Sequence, residues 1–184
     1  MAKGKDKGKG ATGPGTVLEQ LRTFGDPTLK QETREIAAFD ARLEALAELM
    51  FQVMEREGGV GLAAPQIGVL SRIMVWRDPD DEDARYVCVN PRLMTCSEET
   101  TTSEEGCLSV PGVVMQVTRP DEVTITFQDL KGDSVETHLT GFAARVVQHE
   151  IDHLEGRLIL DRTSQEERRR VLKELRERSL RSDE

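Results

Sequence analysis

His149-Glu150-Ile151-Asp152-His153 constrains this chain more than any other run, because its two imidazoles converge on one point only if the segment is helical. Residues i and i+4 of a helix project from one face. Histidines at that spacing grip a single metal ion while the carboxylate between them stays beside it, unligated. A tetrahedral catalytic centre takes three protein ligands and leaves a fourth position for water. The run supplies two, and Cys107, in Glu105-Gly106-Cys107-Leu108-Ser109, is the best candidate for the third. A buried structural histidine pair is the other reading of the spacing, and a glutamate at the place of a hydrolase's general base counts against it.

A chain of 184 residues is long enough to bury most of its apolar surface as one domain without a structural metal. Any metal here is therefore free to be catalytic. Three cysteines (Cys88, Cys96 and Cys107) without a CxxC spacing argue against a disulfide framework and for a reducing, cytoplasmic compartment. Cys88, inside a β-branched run, reads as a small buried hydrophobe, and Cys96 as structural or exposed. No apolar run approaches the length of a membrane span, and the N-terminus lacks the apolar core of a secretory signal, so no membrane partner is expected.

Residues 1–16 are rich in Gly, Lys and Thr without apolar periodicity and are expected to form a disordered tail, leaving 17–184 as a single catalytic domain. Lys3, Lys5, Lys7 and Lys9 against Asp6 give the tail a charge of +3. The formal −9 of the whole chain then leaves −12 on the remainder, which disfavours DNA binding by the folded body.

Between Thr33 and Arg56, Ile36, Phe39, Leu43, Leu46, Met50 and Val53 step by three and four, which predicts an amphipathic N-terminal helix ended by Gly58 and Gly59. From Arg72 to Thr140 the pattern changes to strands: Ile73–Trp76, Tyr86–Val89, Val113–Val117, and Val123, Ile125 and Phe127 alternating with polar residues. Asn90-Pro91 reads as a break and Lys131-Gly132-Asp133 as a hairpin tip. A second helix is predicted from Phe142 to Leu154, with Gly156 in its C-cap region. A third runs from Ser164 to Arg181, opening with the capping box Ser164/Glu167 and carrying a net +3. Its basic residues suit either a solvated face or a docking surface.

Gly59-Val60-Gly61-Leu62-Ala63-Ala64-Pro65-Gln66 combines permissive glycines with an amide that can donate to an oxyanion, although a tight connector has the same composition. Phe142 and Val146 stand seven and three residues before His149 on its helix face, and with Val60 they are candidates for an apolar slot; core packing is the alternative for each. Gly61 and Gly106 are candidates for backbone pairing with a peptide.

Gly59–Gln66, Glu105–Ser109 and Gln148–Gly156 together resemble, in chain order, the three signature motifs of the peptide deformylases. Gly25-Asp26-Pro27 with Leu29 resembles the N-terminal region of that family, so the likeness covers almost everything from about Val17 onward. The resemblance implies an α+β fold, with antiparallel strands packed around a central HExxH helix. It implies removal of the formyl group from the N-terminal formyl-methionine of nascent bacterial polypeptides, with release of formate. It also implies one divalent metal, usually Fe2+ with Zn2+, Ni2+ or Co2+ able to replace it, held by Cys107, His149 and His153. Glu150 would be the general base, and the Gln66 amide with the Leu108 backbone N–H would meet the oxyanion. Where several members of the family carry an arginine soon after Cys-Leu-Ser, this chain reads Val110-Pro111-Gly112-Val113-Val114-Met115; Arg119, a few residues on, is the remaining candidate to anchor peptide carbonyls. In the family the C-terminal helix is associated with the ribosome, which suits the basic residues after Ser164.

Two other readings bear on the third ligand. A zinc endopeptidase would use a downstream glutamate such as Glu174 or Glu177, since Ile159 stands where the extended motif needs a histidine. A structural metal would add Cys88 or Cys96 to the set.

Overall fold

The computed structural model describes residues 20–78 and 81–182; the expected N-terminal tail lies outside them. Among the described residues, three α-helices, α1 (Ala41–Arg56), α2 (Gly141–Leu154) and α3 (Gln165–Ser182), combine with seven strands: β1 (Gly61–Ala63), β2 (Ile73–Asp78), β3 (Asp81–Cys96), β4 (Thr100–Cys107), β5 (Val110–Pro120), β6 (Glu122–Gln128) and β7 (Ser134–Thr140). These named strands all pair antiparallel. Five strands form one sheet in the order β1-β2-β3-β6-β7, and β4-β5 is a separate hairpin. The class is α+β. No helix among the described residues is long and apolar enough to cross a membrane.

β1 and the first half of β2 are buried on both faces of the large sheet, which explains why Ile73–Trp76 is continuously apolar, whereas β6 and β7 alternate. The strand period of two distributes the Ile73–Trp76 run between two cores. Leu62, Ile73, Val75 and Val89 pack with Met50, Phe51 and Met54 of α1. Ala63, Met74, Trp76 and Cys88 pack with Val147, Ile151 and Leu154 of α2. A third cluster joins the hairpin, through Met115 and Val117, to Val171 of α3. Burying each such side chain contributes about 1.5–3 kcal/mol, and together they hold α2 between the sheet and the hairpin.

Two expectations are corrected. The first helix begins at Ala41, not Thr33, because Asp40 caps it, accepting from the N–H groups of Arg42 at 2.9 Å and Leu43 at 3.3 Å. The backbone before it is committed elsewhere: Thr33 N–H donates to Leu154 O, Arg34 N–H to Leu70 O, and Ile36 N–H to Asn90 Oδ1. Ile36 and Phe39 still reach the core, from an extended segment. Asn90-Pro91 does not break the chain but bulges a continuous β3. Asn90 adopts φ 52, and its amide donates to Ile36 O and Gln128 Oε1, both at 2.8 Å.

Hairpin turn and helix ends fall where local chemistry puts them. Gly132 sits at the tip between β6 and β7, and Glu167 N–H donates to Ser164 Oγ at the start of α3. After α2 the chain reverses at Gly156, whose φ of 70 and distance of 2.8 Å from an added Cβ to Lys30 O leave room for no side chain.

Candidate metal centre and its cleft

β4 ends at Cys107, and the register of the hairpin slips there: Gly106 pairs with Val114 while Cys107 pairs with Val110. Residues 111–113 of β5 are thereby looped out, forming one lip of a cleft of about 560 Å³. Opposite stand Val60 and Gly61 at the edge of the large sheet, and α2 provides the floor with His149 and Glu150.

The donor atoms of Cys107, His149 and His153 lie within 4.8 Å of one another, an arrangement that fits one metal ion. Cys107 Sγ is 3.2 Å from His153 Nε2. His149 Nδ1 is 3.1 Å from Glu105 Oε2, which leaves Nε2 for the donor group and fixes the tautomer. The His149 side chain keeps 11% of its surface exposed, so the cleft reaches the group. Neither Cys88 nor Cys96 belongs to it: Cys88 is buried beside Trp76, its thiol pushed up to about 12 by burial, and Cys96 is exposed. Glu174 is bound to Arg170 and Arg178 on α3, away from the group.

Glu150 is 4% exposed, and its Oε2 has no hydrogen-bond partner among the described residues. Burial raises its pKa to about 7, against the opposing charges of His149 and Arg119. A Cβ added to Gly61 would lie 2.4 Å from Glu150 Oε1, so only glycine allows β1 to pass the carboxylate this closely. Gln66 is buried with its amide orientation determined: Oε1 accepts from Ala63 N–H at 2.8 Å, and Nε2 donates to Ser109 Oγ at 3.2 Å. Gln66 lines the cleft, as do Leu108, Gly106, Phe142 and Val146.

Arg119 is the correction. It is 4% exposed and does not line the cleft. The strand period places it on the inward face of β5 with Val113, Met115 and Val117, and there its guanidinium is consumed by carboxylates. Nε and Nη2 donate to Glu105 at 2.7 and 3.0 Å, and Nη1 donates to Asp152 at 2.9 Å. Glu105 also accepts from Arg145 Nη1 at 2.7 Å. Burial raises the Glu105 carboxyl, but hydrogen bonds from His149 and Arg119, with their charges, outweigh it and hold the group at about 2. His149 is lowered by burial yet raised well above its ordinary range by Cys107 and Glu105. His153 is held well below that range by burial and by the neighbouring charges of His149 and Arg119.

Sequence reasoning passed over Glu105, Arg145, Asp152 and Arg162 as individuals. A signal existed: an inward-facing arginine in an otherwise apolar strand register demands a buried carboxylate.

A thiol and two imidazoles at the floor of an open cleft, with the buried Glu150 carboxylate beside them, define a metal-dependent hydrolase. The family model described as polypeptide deformylase matches residues 18–169. A peptide deformylase of Thermotoga petrophila is 40% identical over 158 residues, covering 86% of this chain and 94% of that protein. The crystal structure of a peptide deformylase from Legionella pneumophila superposes with a TM-score of 0.82 at 35% identity, covering 90% of this chain and 98% of that one. The Thermotoga maritima enzyme gives 0.75 at 40% identity, covering 79% and 97%. This chain belongs to the polypeptide deformylase family.

Proposed function

We propose that the cleft hydrolyses the formyl group from the N-terminal formyl-methionine of nascent polypeptides, with Cys107, His149 and His153 holding one divalent ion and Glu150 as the general base. The observation that carries this is the meeting of the three donor atoms with a buried carboxylate, whose Oε2 has no hydrogen-bond partner among the described residues, at the floor of a cleft between two strand edges. α2 serves as the central, ligand-bearing helix. When bound, the ion, ferrous iron by family habit with zinc, nickel or cobalt as substitutes, supplies a Lewis acid that makes water more acidic.

The peptide lies extended between β1 and β4, pairing with the backbones of Gly61 and Gly106 as an added strand. Val60, Phe142 and Val146 receive the methionine side chain. Glu150 takes a proton from water as the water oxygen adds to the formyl carbon. Burial suits it to this, because a carboxyl near 7 both accepts and returns a proton at neutral pH. The Gln66 NH2 and the Leu108 N–H stabilise the tetrahedral oxyanion, each donor contributing about 3 kcal/mol. The C–N bond then breaks, Glu150 delivers its proton to the amine, and formate leaves. Arg119 has no part in peptide binding and instead holds Glu105, which orients His149.

Exposed Arg168, Arg169, Lys173 and Arg176 on α3 suit docking to ribosomal RNA, and the setting is the bacterial cytoplasm. The test of the chemistry is formate release from formyl-Met-Ala by anaerobically purified protein. Glu150→Ala is expected to retain its metal and lose activity by about 10²–10⁴-fold; formate production surviving the substitution would overturn the assignment of the base.

A further inference from the structure

We propose that Arg162 is a positioning residue for His149, acting from the outer end of a chain of alternating charges. The inference rests on the reading of Cys107, His149 and His153 as the ligand set. The chain starts at the surface: the Arg162 side chain is 41% exposed, and its Nε lies 3.0 Å from both oxygens of Asp152. Asp152 is 4% exposed and takes no part in the donor group, although it precedes His153 directly. Its Oδ2 accepts from Arg119 Nη1 at 2.9 Å. Arg119 presents its other edge to Glu105, and Glu105 Oε2 faces His149 Nδ1.

Competition for Arg119 gives the outermost arginine its influence. Two buried carboxylates share that guanidinium, and each draws it toward itself. Arg162 supplies Asp152 with a second cation, leaving the Nε/Nη2 edge of Arg119 committed to Glu105. Without Arg162, Asp152 is a buried anion with one cationic partner, and the balance shifts toward it. Glu105 then holds His149 less firmly. The backbone that carries Arg162 is anchored: its main-chain N–H donates to Ile159 O at 3.0 Å, and the adjacent Thr163 Oγ1 donates to Gln116 O at 2.9 Å.

Metal retention tests this. Wild type, Arg162→Met, Glu105→Gln and the double variant are loaded with Zn2+, and transfer of zinc to a chelator is timed. Arg162→Met is expected to lose zinc about tenfold faster than wild type, the usual effect of removing an outer partner of a metal ligand. In the Glu105→Gln background the same substitution is expected to change the rate less than about twofold, because the two act through one path. Equal acceleration in both backgrounds, or none in either, overturns the proposal, since a general loss of stability acts regardless of Glu105. If Glu105→Gln holds too little zinc to time, the imidazole N–H proton of His149 in zinc-loaded protein decides. Faster exchange with water in Arg162→Met supports the proposal, and unchanged exchange overturns it. Zinc retained at full stoichiometry by Cys107→Ala would instead show that the ligand reading had failed.

Discussion

Glu105 accepts hydrogen bonds from both edges of Arg119 and from Arg145, and it faces His149, in a space where it is 7% exposed. Its carboxyl lies at about 2, below the ordinary 4.5, so the charged form is favoured by folding. A depressed carboxylate contributes fully above its unfolded value and loses that contribution as pH falls through its folded value. The difference of pKa corresponds to about 3 kcal/mol. Urea unfolding of metal-free wild type and Glu105→Gln should therefore show a gap of about 3 kcal/mol at pH 6 that closes between pH 4.5 and 2. A gap independent of pH would contradict the charge network. The same residue explains what could be read in the sequence at this scale. His149, His153, Cys107 and Glu150 carry a spacing that chemistry constrains, whereas Glu105 and Asp152 acquire their roles from partners far away in the chain.

At the scale of elements, the site depends on how closely β1 approaches α2. Gly61 is the contact, with a Cβ position 2.4 Å from Glu150 Oε1. The atom it would strike is the far end of a side chain, which can move. Gly61→Ala should consequently displace the carboxylate rather than unfold the protein: kcat falls about 10²-fold, as for an ångström-scale misplacement of a catalytic group, while metal content and Tm stay close to wild type. Undiminished kcat would show that Glu150 tolerates the shift. Strand and helix identities were legible because their periods differ, as in the alternation of Val123, Ile125 and Phe127 or the i, i+4 pair on α2. The start of α1 was not, since Ile36 and Phe39 match a helical period while Asp40 caps the helix at its N-terminus and the backbone of residues 33–36 is bound by Leu154, Leu70 and Asn90.

Across the whole molecule, the hairpin, the large sheet and α2 converge on one cleft, and α3 packs behind the hairpin through Val171. Arg162, the outer end of the charge chain, precedes the start of α3 at Gln165. Replacing the exposed Arg168, Arg169, Lys173 and Arg176 by Ala spares both Arg162 and the buried Val171, and such a protein should hydrolyse small formyl peptides while losing salt-dependent association with ribosomes. Unchanged ribosome association would dispose of docking through α3. The convergence itself was legible only through the three motifs read together, because no single one states which strand faces α2. The inward turn of Arg119 shows the limit: its position in the strand register predicts burial, but its partners come from β4 and α2, which only the tertiary fold brings together. The central claim is that one sulfur and two imidazole nitrogens hold a single ion. Metal content of anaerobically purified Cys107→Ala, compared with wild type by elemental analysis, tests it most directly. The expected result is a fall from near one ion per chain to near none with the circular dichroism spectrum preserved; one ion retained per chain would contradict it.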